Sequence, residues 1–111
     1  MDILPKADEA IIPIEKFTKY ALNPDKQPDK AVAFELALGY NVENVEKLIE
    51  SIRANLKKFP AKPKENKGFG DTFEIVMELI GENRKTAKVL TGWINDKKTG
   101  EMRLTSAYVD K

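Results

Sequence analysis

Seven residues in the last quarter of the chain carry the side chains best suited to chemistry: Lys88, Thr91, Trp93, Arg103, Thr105, Ser106 and Tyr108. They supply cations, hydroxyls and aromatic rings. Such a set can hold a phosphate between Lys or Arg and hydroxyl donors while an aromatic ring stacks on a base. Metal-independent cleavage of RNA needs a base near the ribose 2′-OH, an acid near the leaving oxygen, and a cation to stabilise the phosphorane. Tyr, Lys and Arg can fill these roles, and they must here, because the chain has no His and no Cys. That absence excludes disulfides, thiolate or imidazole zinc sites, cysteine proteases and Ser-His-Asp triads. Thr and Tyr are also ordinary strand formers, and Trp93 is equally suited to anchor a core.

Other candidate motifs are weaker. Glu74 and Glu78 share a strand face but stand four residues apart, roughly 13 Å at strand rise, too far to chelate one ion. Glu65-Asn66-Lys67 follows two Pro-Asp pairs, a superficial likeness to a metal-dependent nuclease motif, but it falls in a linker and reads as solvated surface. Gly68-Phe69-Gly70 lacks the remaining residues of a phosphate loop and reads as a turn. No metal or cofactor is called for. Lys30 opens a predicted helix, where the helix dipole disfavours a cation by a few tenths of a kcal/mol, so a partner or a role is expected for it.

The elements that must position these residues fall into two halves. Residues 1–52 carry six Lys/Arg and ten Asp/Glu, a net of −4, and residues 53–111 carry thirteen and eight, a net of +5. The first half reads as helices. Pro13 starts one over 13–22, with Ile14, Phe17 and Ala21 on one side. Asp29 is the expected N-cap of a helix over 30–38, and Gly39 its C-terminal cap. Asn41 caps the next, where Val42, Val45, Leu48, Ile49, Ile52, Leu56 and Phe59 recur at helical spacing until Pro60. Residues 61–70 (AKPKENKGFG) read as a basic linker. Together with the preceding helix end, Arg53, Lys57, Lys58, Lys62, Lys64 and Lys67 against Glu65 net +5. Lys57 and Lys62 with Lys88 and Trp93 are therefore candidates for nucleic-acid contact, although cations also suit a helix C-terminus.

Three strands are predicted to follow, over Thr72–Ile80, Thr86–Ile94 and Met102–Val109, joined by a turn at Gly81-Glu82-Asn83 and a polar loop over 95–100. Ala10–Ile12 is a candidate fourth. Phe73, Ile75, Met77 and Leu79 should face the Val42–Leu56 stripe, with Glu74 and Glu78 on the wetter side. The expectation is an α+β domain with N-terminal helices packed on a three- to four-stranded antiparallel sheet. One domain is expected over 1–111: a helical part (1–59), the basic linker (60–70) and the sheet part (71–111). Alternation puts Ser106 and Tyr108 on one face, and Arg103 and Thr105 on the other unless a bulge intervenes. No signal peptide and no bilayer-spanning run is visible, which fits a cytoplasmic protein without a membrane partner.

A series of short matches spans nearly the whole chain: Leu4-Pro5 with Ala7, Ala10-Ile11-Ile12, Lys16, Tyr20-Ala21-Leu22-Asn23-Pro24, Lys30-Ala31 with Phe34, Ala37-Leu38-Gly39, Gly70, Leu90-Thr91-Gly92-Trp93-Ile94, and Arg103-Leu104-Thr105-Ser106-Ala107-Tyr108-Val109. With these the chain resembles a small, largely uncharacterised bacterial domain family. Its members stand alone, often beside a small companion gene, or form C-terminal modules of polymorphic toxins and phage head-morphogenesis proteins. The resemblance implies a toxin-type effector of the ribonuclease-toxin fold, working on RNA without metal and neutralised by a cognate immunity or antitoxin protein. It implies catalytic roles for Lys30, Thr91, Arg103, Ser106 and Tyr108. Lys30 and Arg103 would stabilise phosphate, and Tyr108 with Ser106 or Thr91 would handle protons and orient the ribose. The family's frequent His-Pro after Asn-Pro is replaced here by Lys26-Gln27-Pro28, in a shorter segment. The competing reading is a non-catalytic protein-interaction module of phage or mobile-element origin. A third is simple nucleic-acid binding by the basic second half.

Overall fold

A computed structural model describes residues 2–65 and 68–110. Asn66 and Lys67, which belong to the expected linker and the Glu65-Asn66-Lys67 motif, lie outside the described residues. The fold is α+β, with the helices preceding an antiparallel sheet in the chain.

The N-terminal segment makes a 3-10 turn at Ala7–Glu9 and a π-helical turn at Phe17–Ala21. In the latter, Leu22 N–H donates to Phe17 O at 2.8 Å, the wide i→i+5 closure. Phe17 and Ala21 are buried as expected, but Ile14 is exposed. Helix α1 (Pro28–Leu38) begins two residues earlier than expected. Pro28 occupies its first position, where a missing N–H costs nothing, and Asp29 therefore sits inside the first turn, where its charge suits the dipole. Gly39 closes the helix at φ 74°, a left-handed geometry that disfavours any side chain.

Asn41 caps the next segment. Its side chain accepts from Glu43 N–H at 2.9 Å, and Asn44 reaches back to accept from Asn41 N–H at 2.8 Å. The first turn is 3-10 (Val42–Asn44), and α2 runs Val45–Asn55. The tighter first turn rotates Val42 out of the stripe, leaving it exposed while Val45, Leu48 and Ile52 are buried. The helix ends at Asn55, short of the expected Phe59.

The expected linker contains a strand. β1 (Lys62–Lys64) pairs antiparallel with β2 (Gly70–Ile80), with Pro63 opposite Phe73. A proline is tolerated there because β1 is a sheet edge with no outer neighbour for its missing N–H. β2 pairs with β3 (Thr86–Asp96), and β3 with β4 (Met102–Asp110), giving the order β1-β2-β3-β4. The fourth strand is thus Lys62–Lys64 and not Ala10–Ile12. That segment contributes one parallel bridge, in which Ile11 N–H donates to Met102 O at 2.8 Å and Leu104 N–H donates to Ile11 O at 2.9 Å.

Ile75, Met77 and Leu79 of β2, Val89 and Trp93 of β3, and Leu104 and Ala107 of β4 form the buried sheet face. They share one hydrophobic core with Phe34 and Leu38 of α1 and Leu48 and Ile52 of α2, as the alternation predicted. No helix among the described residues is long and apolar enough to cross a membrane.

Candidate functional site

The π-helical turn and the start of α1 lie alongside β4, the outer strand of the sheet. Between them is a cleft of about 110 Å³ lined by Lys16, Tyr20, Gln27, Lys30, Thr105 and Ser106, with Ala21 and Ala107 as its apolar walls. Each lysine is packed on an aromatic ring. Lys16 Nζ lies 5.6 Å from the centroid of Tyr20, and Lys30 Nζ 5.3 Å from that of Tyr108. Cation–π contact restrains both ammonium groups without neutralising them. Neither is ion-paired among the described residues, and no carboxylate lines the cleft. Two cations, an amide and two hydroxyls converging without an acid suit an anion with tetrahedral oxygens.

The floor is shaped by a β-bulge. Gly92 pairs with Ser106 but Trp93 with Leu104, so Thr105 is an extra residue in β4. A Cβ at Gly92 would lie 2.8 Å from Ser106 Oγ and 3.1 Å from Thr105 Oγ1, so both hydroxyls gather above this glycine. The bulge also answers the question left by alternation. Met102, Leu104 and Ala107 all face the core, which puts Arg103, Ser106 and Tyr108 together on the other face. Beyond Lys30 the cleft is continued by a shallow hollow of about 240 Å³, lined by Asp29, Lys30, Ala33, Tyr108 and Val109.

The predicted site residues divide accordingly. Lys30, Ser106 and Tyr108 are brought together. Arg103 stays outside the cleft lining, three residues from Ser106 along the strand, roughly 10 Å at strand rise. It donates to Glu101 at 3.5 Å. Thr91 and Trp93 are placed in the core, Trp93 as the anchor its type also suited, and Thr91 away from the solvent-facing role expected of it. Thr91 is fully buried, its hydroxyl donating to Ile75 O at 3.0 Å and accepting from Trp93 Nε1–H at 2.8 Å. One hydroxyl thereby satisfies the indole, which would otherwise be a costly orphan.

The cations assigned to nucleic-acid contact are dispersed. Lys88 is paired in register with Glu78 on one side and Asp110 on the other. Lys57 is ion-paired with Asp8, and Lys62 faces Glu74 across the β1–β2 pair. These lie apart from the cleft lining. Lys16, Tyr20 and Gln27 were not among the predicted site residues, and Thr105 was among the seven chemistry-bearing residues but was given no role. A Lys–Tyr pair four residues apart on a predicted helix was the available signal, since such residues share a face. Nothing local announced that this face would meet β4.

Outside the cleft, Tyr40 is the group among the described residues with a clear shift in its ionisation. Burial raises its phenol above the ordinary value of 10.0, aided by the nearby charge of Glu82 and opposed by a hydrogen bond with Ser51.

No curated protein and no solved structure matches the chain significantly. A family model does, over residues 3–111, nearly the full length that folds into the cleft and its supporting sheet; the chain belongs to the family described as Domain of unknown function (DUF6883).

Proposed function

We propose that this chain is a toxin-type effector that cleaves RNA without a metal, with the scissile phosphate seated in the cleft at β4. The observation that supports it best is the carboxylate-free lining, in which Lys16 and Lys30 are each held over a tyrosine ring beside the Thr105 and Ser106 hydroxyls. In this reading the two ammonium groups hold the non-bridging phosphate oxygens and stabilise the extra charge of the phosphorane. Ser106 and Thr105 donate to the same oxygens. The ribose occupies the adjoining hollow, where Asp29 accepts the 2′-OH proton as the 2′-oxygen attacks phosphorus. The bond from phosphorus to the 5′-oxygen breaks, and the Tyr108 hydroxyl supplies that oxygen's proton. The products are a 2′,3′-cyclic phosphate and a free 5′-OH. Neither Thr91 nor Trp93 takes part, and no step needs the histidine that some relatives carry. A cognate immunity or antitoxin protein would protect the producing cell.

The test is induced expression of the wild-type chain in a bacterium, with growth and total RNA followed. Growth arrest with RNA fragments ending in cyclic phosphate is expected. Lys30→Gln and Tyr108→Phe should each lower cleavage by about 100-fold or more, the usual scale for one positioned acid–base or charge-stabilising group. Normal growth with intact RNA would instead favour the interaction-module reading. That reading has its own support in the exposed aliphatic residues of α1.

A further inference from the structure

Helix α1 is apolar on more than its buried face. Ala31, Phe34 and Leu38 enter the core, but Val32 and Leu36 are 53% and 70% exposed. They stand four residues apart and so share an outward face. Val42, rotated out of the α2 stripe by the 3-10 turn, is a third exposed aliphatic residue at 44%. Val32 and Val42, with Leu22, Pro24 and Ala31, line a groove of about 360 Å³, and Leu36 stands outside that lining. A helix that is apolar around most of its circumference is ordinarily covered.

The rim identifies what would cover it. Glu35 and Glu43 line the groove with Asn41, and no Lys or Arg lines it. Asn41 Nδ2–H donates to Glu35 at 3.3 Å, which holds that carboxylate at the groove edge. The surrounding segment, residues 25–50, carries six acids and three lysines, a net of −3, and Lys47 is committed to Glu82. We propose that this groove docks a basic amphipathic helix of a partner protein, its aliphatic face on Val32 and Val42 and its Lys or Arg residues on Glu35 and Glu43. Helix-in-groove binding of this kind takes its affinity from apolar anchors and its register from the charges at the rim. Val32 lies about 200° around the helix from Lys30, so the occupant leaves the cleft open. The inference is independent of the ribonuclease reading.

The probe is a synthetic helical peptide of about 15 residues with leucines along one face and lysines elsewhere. It is titrated into the isotope-labelled full chain and followed by amide chemical shifts. Saturable shifts centred on Val32, Val42, Glu35 and Glu43 are expected. Glu43→Lys and Val32→Ser should each weaken binding at least tenfold. Both sites are exposed, and an unchanged circular dichroism spectrum serves as the check on folding. Equal binding of the same peptide with glutamates in place of lysines would overturn the proposal, because the rim would then select nothing. So would shifts mapping outside the groove, or no binding. A concentration-dependent dimer dispersed by Val32→Ser would also overturn it, by making a second copy of the chain the occupant.

Discussion

Lys30 stands at the positive end of α1, where the dipole disfavours it, and its ammonium lies over the Tyr108 ring. The local misplacement was readable, and the fold supplies the compensating partner. Thr91 is the contrary case. A threonine on a strand serves an open face or a core equally well until register decides, and here it bonds the sheet backbone and the indole. Tyr40 shows how burial at one residue becomes a property of the fold. Its hydroxyl donates to Ile80 O at 3.3 Å, and burial holds the phenol protonated to higher pH than in the unfolded chain. The folded state therefore binds this proton more tightly. The associated stability is complete below pH 10 and is lost as pH rises above 10 through the folded-state value. Tyr40→Phe should be less stable than wild type at pH 8 by about 1 kcal/mol, the worth of one hydrogen bond. The gap should narrow as pH rises above 10. Urea unfolding of both proteins across that range measures it, and a constant gap would mean that Tyr40 does not titrate with folding.

At the scale of elements, the bulge in β4 is the device that makes the cleft. With Thr105 removed, Ser106 would follow Leu104 in regular alternation and still face Gly92, while Leu104, Ala107 and Trp93 would keep their core positions. Deleting Thr105 should therefore spare the core and remove one hydroxyl and the local bend from the cleft. The expected result is a melting temperature within about 5 °C of wild type, equivalent to about 1 kcal/mol for a domain of this length. RNA cleavage should fall by at least tenfold. Thermal unfolding and a cleavage assay on the same sample decide it, and retained cleavage would remove the bulge from the mechanism. The π-helical turn has a comparable role, since it carries Lys16 and Tyr20 to the opposite wall.

Across the whole molecule, ion pairs tie the two halves of the chain together. Lys57 pairs with Asp8 and Lys47 with Glu82, each joining one half to the other, while Lys64 pairs with Glu74 within the sheet. The net charge is only +1. Single-stranded RNA should thus feel a local cation pair in the cleft and little long-range field. With Lys16 and Lys30 as the main phosphate contacts, log K should fall with log salt at a slope of about −1.4. Fluorescence anisotropy of a labelled oligonucleotide over a range of salt tests this, and a slope steeper than about −3 would require a broader basic surface.

The order of helices before the three long strands, the helix caps at Gly39 and Asn41 and the core alternation of β2 were all determined locally. They rest on backbone preferences and on the periodicity of apolar residues, which act within a few positions along the chain. The strand at Lys62–Lys64 was not, because three residues containing a proline have no periodicity and become a strand only through pairing with β2. The cleft was not either. It needs a bulge at Thr105 and a neighbour at Lys16 and Tyr20, both decided by register and long-range packing. One extra residue in a strand rearranges which side chains share a face, and the free energy that places it there comes from burying Leu104 and Ala107 together.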